Sequence, residues 1–253
     1  TGGGAITMLV DGTTNINNTG DEAFTAESSL DVTSAGNTTL TGTVDVTSTS
    51  DLTVGGDLLI TSDYTGGDSV TLTVTGNTAL DGMLDVTNDL MIDGTGAITL
   101  ANQVDVTGNA TINGGSTTDV DGLLDVGGNL VLDSVGNTTL TGTVNITGIS
   151  DLTIGGDLAI TGDYTGGDAI IMLVDGTTSI TNTEEDAFTA ESSLDVTSAG
   201  NTTLTGTVDV TGTSDLTVGD ALMISGDYTG GGAITMLVDG TTNINNTGDE
   251  AFT

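Results

Sequence analysis

Residues 36–43 read GNTTLTGT, and the same eight residues return at 136–143 and at 200–207. The offsets of 100 and 64 residues become simple once apolar residues are aligned every 20 positions. Leu40 is followed at that spacing by Ile60, Leu80, Leu100, Val120, Leu140 and Ile160. A second column runs Leu52, Leu72, Ile92, Ile112, Leu132, Leu152, and a third runs Val44, Tyr64, Leu84, Val104, Leu124, Val144, Tyr164. Val46, Val86, Val106, Val126 and Ile146 each follow a member of the third column by two residues. Apolar and polar residues therefore alternate within each segment, which is the period of a strand with one buried face.

A longer period contains the short one. Residues 1–25 recur unchanged as 229–253, an offset of 228, and residues 25–47 recur as 189–211, an offset of 164. With a unit of 20, the offset of 228 resolves into nine units of 20 and two of 24. The extra residues fall in NNTGDEAFT (17–25) and NTEEDAFT (182–189), and they are expected to bulge outward as loops on one side of a stack. Neither end reads as a cap, so the chain is expected to be part of a longer array. Forty glycines with no proline suit a continuous element that bends often and never interrupts its hydrogen-bond ladder. The expected fold is all-β: a parallel β-helix, or β-solenoid, of about 20 residues per coil with occasional 24-residue coils, running through residues 1–253 as one unit. Three short strands per coil would each pair with the same strand one coil away, and eleven coils at about 4.8 Å would span roughly 53 Å. An isolated coil cannot offset its own chain entropy, so neighbouring coils must fold together.

Composition bounds the function. The chain holds 36 acidic residues and no Lys, Arg or His, for a net charge of −36. Side-chain salt bridges are excluded, and nucleic acid and anionic membranes are poor partners because both are bound through Lys and Arg. A hydrophobic content of 35%, rich in Val, Ile, Leu and Thr, separates the chain from acidic disordered sequences. The absence of Cys rules out disulfides and thiolate metal sites. No run approaches the roughly 18 apolar residues of a membrane span. Thr1-Gly2-Gly3-Gly4 has no basic segment of the kind that opens a signal peptide, so any targeting segment is expected outside this stretch. The chain is not expected to be an enzyme: polysaccharide-cleaving chemistry that relies on Arg, Lys or His is unavailable, and repetition argues against a single carboxylate-pair site.

One outward column reads Asp45, Thr65, Asp85, Asp105, Asp125, Asn145. Carboxylates about 4.8 Å apart repel, and Ca²⁺ is the cofactor that would bridge such a row, since hard cations take carboxylate oxygens. Asp85, Asp105, Asp125 and Asp45 are therefore the candidate metal ligands; the bland alternative is a solvated acidic face. An ice-binding face of regular hydroxyls is not expected, because the column Thr41, Thr61, Asp81, Ala101, Asp121, Thr141, Thr161 mixes in charge and Ala. Asn17, Asn37, Asn109, Asn137, Asn145, Asn201 and Asn245 begin N-x-Thr triplets, a pattern that abundant Thr produces by chance.

The segments at 36–48 and 200–212, SDLTVGGDL (50–58) and SDLTIGGDLAITG (150–162) resemble the repeats of filamentous haemagglutinin-like adhesins and autotransporter-type β-solenoids of the bacterial cell surface. The resemblance covers nearly the whole chain. It implies a right-handed β-helix exported to the cell surface as a rod and used for adhesion or matrix building. The expected role is a structural repeat segment of an extracellular filament, fibre or matrix, or else the stalk of an adhesin whose binding tip lies elsewhere. The expected partner is the chain itself, end to end or laterally, with cell-surface or polysaccharide targets as further partners.

Overall fold

The structure, a computed structural model, describes residues 4–18, 23–183 and 187–245. All regular structure among them is β, arranged as a solenoid of twelve coils. The coil at 50–69 shows the unit: strands Ser50–Val54, Leu58–Ile60 and Tyr64–Gly66, joined by two tight bends. Equivalent strands stack into sheet I (twelve strands), sheet II (twelve) and sheet III (eleven). Every pair is parallel and joins a strand to its counterpart one coil on, as in Val70↔Ser50, Thr78↔Leu58 and Leu84↔Tyr64. Coils are numbered from the first residue of the sheet I strand: coil 1 at 6, coil 2 at 30, coil 3 at 50, and so to coil 12 at 234.

Alternation within each strand decides which residues enter the core. In the 50–69 coil the buried set is Ser50, Leu52, Val54, Leu58, Ile60, Tyr64 and Gly66, while Asp51, Thr53, Leu59 and Thr65 face outward. Each coil thus presents seven inward positions, three more than the four apolar columns alone suggest. The additional positions hold small or polar residues as often as aliphatic ones. At one of them Thr38, Thr78, Thr138, Thr178 and Thr202 alternate with Leu58, Ile98, Leu158 and Leu222. Threonine has the branched shape of valine and packs there without opening a void, although these five hydroxyls have no hydrogen-bond partner.

The bends keep the ladder closed. The amide of Leu58 donates to the carbonyl of Asn77 in the following coil at 2.8 Å, and that of Thr61 donates to Leu40 in the preceding coil at 3.0 Å. Bends stack backbone upon backbone, which is why glycine recurs in them: a Cβ on Gly67 would lie 2.5 Å from the carbonyl oxygen of Thr47. Gly42 and Gly206 meet a second demand, a left-handed φ of 85° and 93°, and both lie one coil beyond a 24-residue coil.

The long coils sit where the repeat places them. Thr14 pairs with Thr38, 24 residues on, whereas Phe24 pairs with Val44, 20 residues on; the extra residues enter between sheets II and III. Coil 9 does the same, with Thr178↔Thr202 and Phe188↔Val208. Of the segments 17–25 and 182–189 expected to bulge outward, residues 19–22 and 184–186 lie outside the described residues.

The core changes character along the axis. The first inward position of sheet III holds Leu84, Val104, Leu124 and Val144 in coils 4–7 but Tyr164 and Phe188 in coils 8 and 9, whose rings stack at 5.2 Å with 19° between planes. Each tyrosine has a serine fourteen residues earlier on sheet I; Ser214 and Tyr228 share a hydrogen bond of 2.6 Å. Burial pushes the Tyr64, Tyr164 and Tyr228 phenols above their ordinary value, and the facing Ser50, Ser150 and Ser214 oppose only part of that shift. Ser50 and Ser150 face their phenols without completing a hydrogen bond.

Candidate functional site

The outward row on sheet III comes first. Parallel pairing sets Asp85 beside Asp105 and Asp105 beside Asp125, all three half-buried, and the row passes into Asn145. Asp45 does not join them, since Thr65 stands between it and Asp85. At strand spacing each carboxylate pair repels by about 1 to 3 kcal/mol, and the open outer edge of the row places the figure at the lower end. Acidic runs of two residues occur on sheet I, where Asp31 pairs with Asp51 and Asp195 with Asp215.

These carboxylates do not fit a Ca²⁺ cage. Calcium takes six to eight oxygens converging from several directions. Here the strands contribute one carboxylate per coil, all standing parallel, and the neighbouring main-chain carbonyls are engaged in the ladders. Among the described residues no group of three or more acidic side chains converges on a metal-binding point. The arrangement is a charged surface row, with Asp85, Asp105 and Asp125 adjacent and Asp45 apart.

A second use of Asp and Asn was not legible from the repeat. Side chains in the bend before a strand accept hydrogen bonds from the amide of the equivalent residue one coil later. Asn37 accepts from Asp57 at 3.0 Å, Asp57 from Asn77 at 2.8 Å, and Asn77 from Ala97 at 2.9 Å. Asp89, Asn109 and Asn129 form a similar run before sheet I, ending on the amide of Ile149. Asn137 accepts from Asp157 and Asp157 from Thr177, whose amide and hydroxyl together hold the Asp157 carboxyl below its ordinary value. Asp63 and Asp163 do likewise before sheet III. Four of the seven N-x-Thr asparagines, Asn37, Asn109, Asn137 and Asn201, thus have their side-chain carbonyls engaged. The signal was present as Asn or Asp at 37, 57 and 77, but in so acidic a chain it reads as surface charge.

The hollows follow the bends. A furrow of about 460 Å³ runs beside the bend after sheet I, lined by Asp133, Val135, Thr153, Leu173 and Asp175 among others. It continues past Asn113 to Asp93 as the coils repeat. Its polar groups are carboxylates, an amide and hydroxyls. No Lys, Arg, His or Cys exists in the chain to supply a cation, a neutral-pH base or a thiolate.

Comparison of the chain with models of protein families, with curated proteins and with solved structures finds no match in any of the three. The parallel β-solenoid is therefore carried by the pairing registers themselves. The likeness to filamentous haemagglutinin-like repeats stands only on the segments that suggested it.

Proposed function

We propose that this chain is a structural segment of an extracellular filament, fibre or matrix, that it is not an enzyme, and that its main partner is more of the same solenoid. The observation that carries the reading is a strand sequence with both edges in use. In coil 1, ITMLV (Ile6–Val10) pairs forward with LDVTS (Leu30–Ser34); in coil 12, ITMLV (Ile234–Val238) pairs backward with SDLTV (Ser214–Val218). TNIN behaves in the same way in sheet II, at Thr14–Asn17 and Thr242–Asn245. The unit of eleven coils can therefore follow itself without a junction: the residue types that close one period already open the next. A closed ladder with no Lys or Arg also offers trypsin no cleavage site, which suits service outside the cell.

Chains of one, two and three 228-residue periods test this by electron microscopy. Rods that lengthen by roughly 53 Å per period support the reading. Compact particles, or lengths that do not scale with period number, would overturn it. The stalk reading shares the rod but expects it to remain single and to depend on a tip for any contact.

A further inference from the structure

Charge is not spread evenly around the solenoid. Outward positions of sheet I carry Asp31, Asp51, Asp93, Asp133, Asp151, Asp195 and Asp215, and those of sheet III carry Asp45, Asp85, Asp105, Asp125 and Asp209. Sheet II is different. Its central outward row in coils 7–11 is Thr139, Ala159, Ser179, Thr203 and Met223, in unbroken register. Beside it runs the row Thr141, Thr161, Thr181, Thr205 and Ser225. The mixed column expected from residues 41–161 is thus confined to coils 4–6, where Asp81, Ala101 and Asp121 interrupt it, with Asp119 in the central row. Over five consecutive coils the described outward positions of these two rows hold ten small or uncharged side chains and no carboxylate, in a chain of net charge −36.

From this geometry we propose that the sheet II face of coils 7–11 is the lateral contact through which two solenoids of this chain pack side by side. The proposal rests on the filament reading and names its partner surface. Three features select a second copy as the occupant. Two such polyanions can meet on these strands without setting carboxylate against carboxylate, whereas contact through the same coils of sheet I would oppose Asp133, Asp151, Asp195 and Asp215, and contact through sheet III would bring in Asp209. Hydroxyls both donate and accept, so a row of Thr and Ser is complementary to an identical row across a two-fold axis. Met223, 43% exposed, adds a polarizable apolar contact at one end.

Area sets the character of the contact. Five coils at about 4.8 Å and three residues at about 3.3 Å make a patch of roughly 240 Å² per copy, below the roughly 800 Å² per partner of a stable complex. A single period does not hold a pair together, but patches recurring along a rigid rod act multivalently. The rim is acidic, with Asp157, Asp163, Asp175, Asp220 and Asp227 in the bends on either side and Glu184, Glu185 and Asp186 in the sequence that joins sheets II and III in coil 9. Association is therefore promoted by added monovalent salt, which shortens the screening length from about 30 Å at 0.01 M to about 3 Å at 1 M. Contact with a cationic partner would weaken under the same change.

The test uses three-period chains with a chelator present throughout, in 10 mM and in 1 M NaCl, read by sedimentation and electron microscopy. Single rods at low salt and side-by-side pairs at high salt are expected. Thr161→Asp with Thr203→Asp in every period adds charge to this face, and loss of pairing is expected. The same side chain already occupies these columns at Asp121 and Asp119, so folding is retained, as circular dichroism will verify. Thr165→Asp with Thr189→Asp adds equal charge to sheet III, whose row already accepts Asp, and is expected to leave pairing intact. Rods that stay single at 1 M NaCl, or equal loss in both double variants, overturn the lateral contact and leave the filament standing. Absence of rods at any salt overturns the filament reading instead.

Discussion

Coils 4–6 and coils 8–11 share one backbone plan and solve it with different side chains. The middle coils fill sheet III with Leu84, Val104 and Leu124, each followed two residues later by Val, and they place carboxylates on all three faces. Coils 8, 9 and 11 fill the same position with Tyr164, Phe188 and Tyr228, each followed two residues later by Gly or Ala, while coil 10 keeps Val208 and Val210; the described strands of sheet II in these coils carry no charge. The stack therefore fixes where residues point and how far apart they stand, while volume is balanced within a coil. Tyr is matched by Gly two residues on and by Ser fourteen residues back. The glycine also answers its next neighbour inward: Gly66 and Gly166 precede β-branched Val70 and Ile170, whereas Val86 and Val126 precede Leu90 and Leu130. A Cβ on Gly166 would meet Ile170 Cγ1 at 2.5 Å.

The comparison can be broken most severely at its largest side chain. Tyr164→Ala empties a fully buried site beside Phe188 and is expected to lower stability by about 3–5 kcal/mol in urea melts. Gly166→Val imposes the middle-coil residue on an aromatic coil, at an expected cost of about 1–3 kcal/mol from overpacking. Adding Ile170→Leu, which recreates the Val126–Leu130 combination, is expected to restore part of that loss; equal instability of the double variant would refute the pairing of these two positions.

pH sharpens the same contrast. Burial favours the neutral phenol, so the contribution of the tyrosines is intact below the ordinary value of 10.0 and falls as pH rises beyond it. Alkaline melts of a Tyr64→Phe, Tyr164→Phe variant should show a flatter decline above pH 10 than those of the parent. At neutral pH the change is expected to be small, because neither hydroxyl has a completed hydrogen bond.

Two smaller effects separate structural carboxamides from surface carboxylates. Asn109→Ala removes a link that accepts from Asn129 and is expected to cost about 1 kcal/mol or less, since water can replace an exposed bond. Asp105→Asn relieves the centre of the acidic row and is expected to stabilise by up to about 1 kcal/mol at low salt, with the gain vanishing in 1 M NaCl. Destabilisation by Asp105→Asn would show that the row is held by something other than repulsion balanced by the ladder.

The parallel solenoid, its 20-residue step and the position of the 24-residue coils were legible because Leu, Ile and Val recur in fixed columns. The register of Asp85, Asp105 and Asp125 followed from the same columns. What they would bind did not, because spacing along an axis says nothing about whether oxygens converge. Ser50, Thr38 and Gly66 escaped notice as core residues because polarity and small size hide them from a hydrophobic pattern, although neighbouring coils make their burial unavoidable. The Asn and Asp acceptors escaped for the opposite reason: in a polyanion an acidic residue reads as charge before it reads as a hydrogen-bond partner. The Thr row of sheet II reads as broken over residues 41–161 because Asp81, Ala101 and Asp121 fall there, whereas its uninterrupted stretch, from Thr141 to Ser225, crosses a 24-residue coil that shifts the 20-residue register.

The stacking of single coils has a mechanical consequence. A pull along the axis does not shear whole sheets at once; it peels one rung at a time from an end, so few hydrogen bonds resist at any moment. Each 20-residue coil released yields about 70 Å of extended chain in exchange for about 4.8 Å of rod. A fibre built this way lengthens many-fold under tension at a near-constant force, dissipating work coil by coil, and can rewind from the rungs that remain.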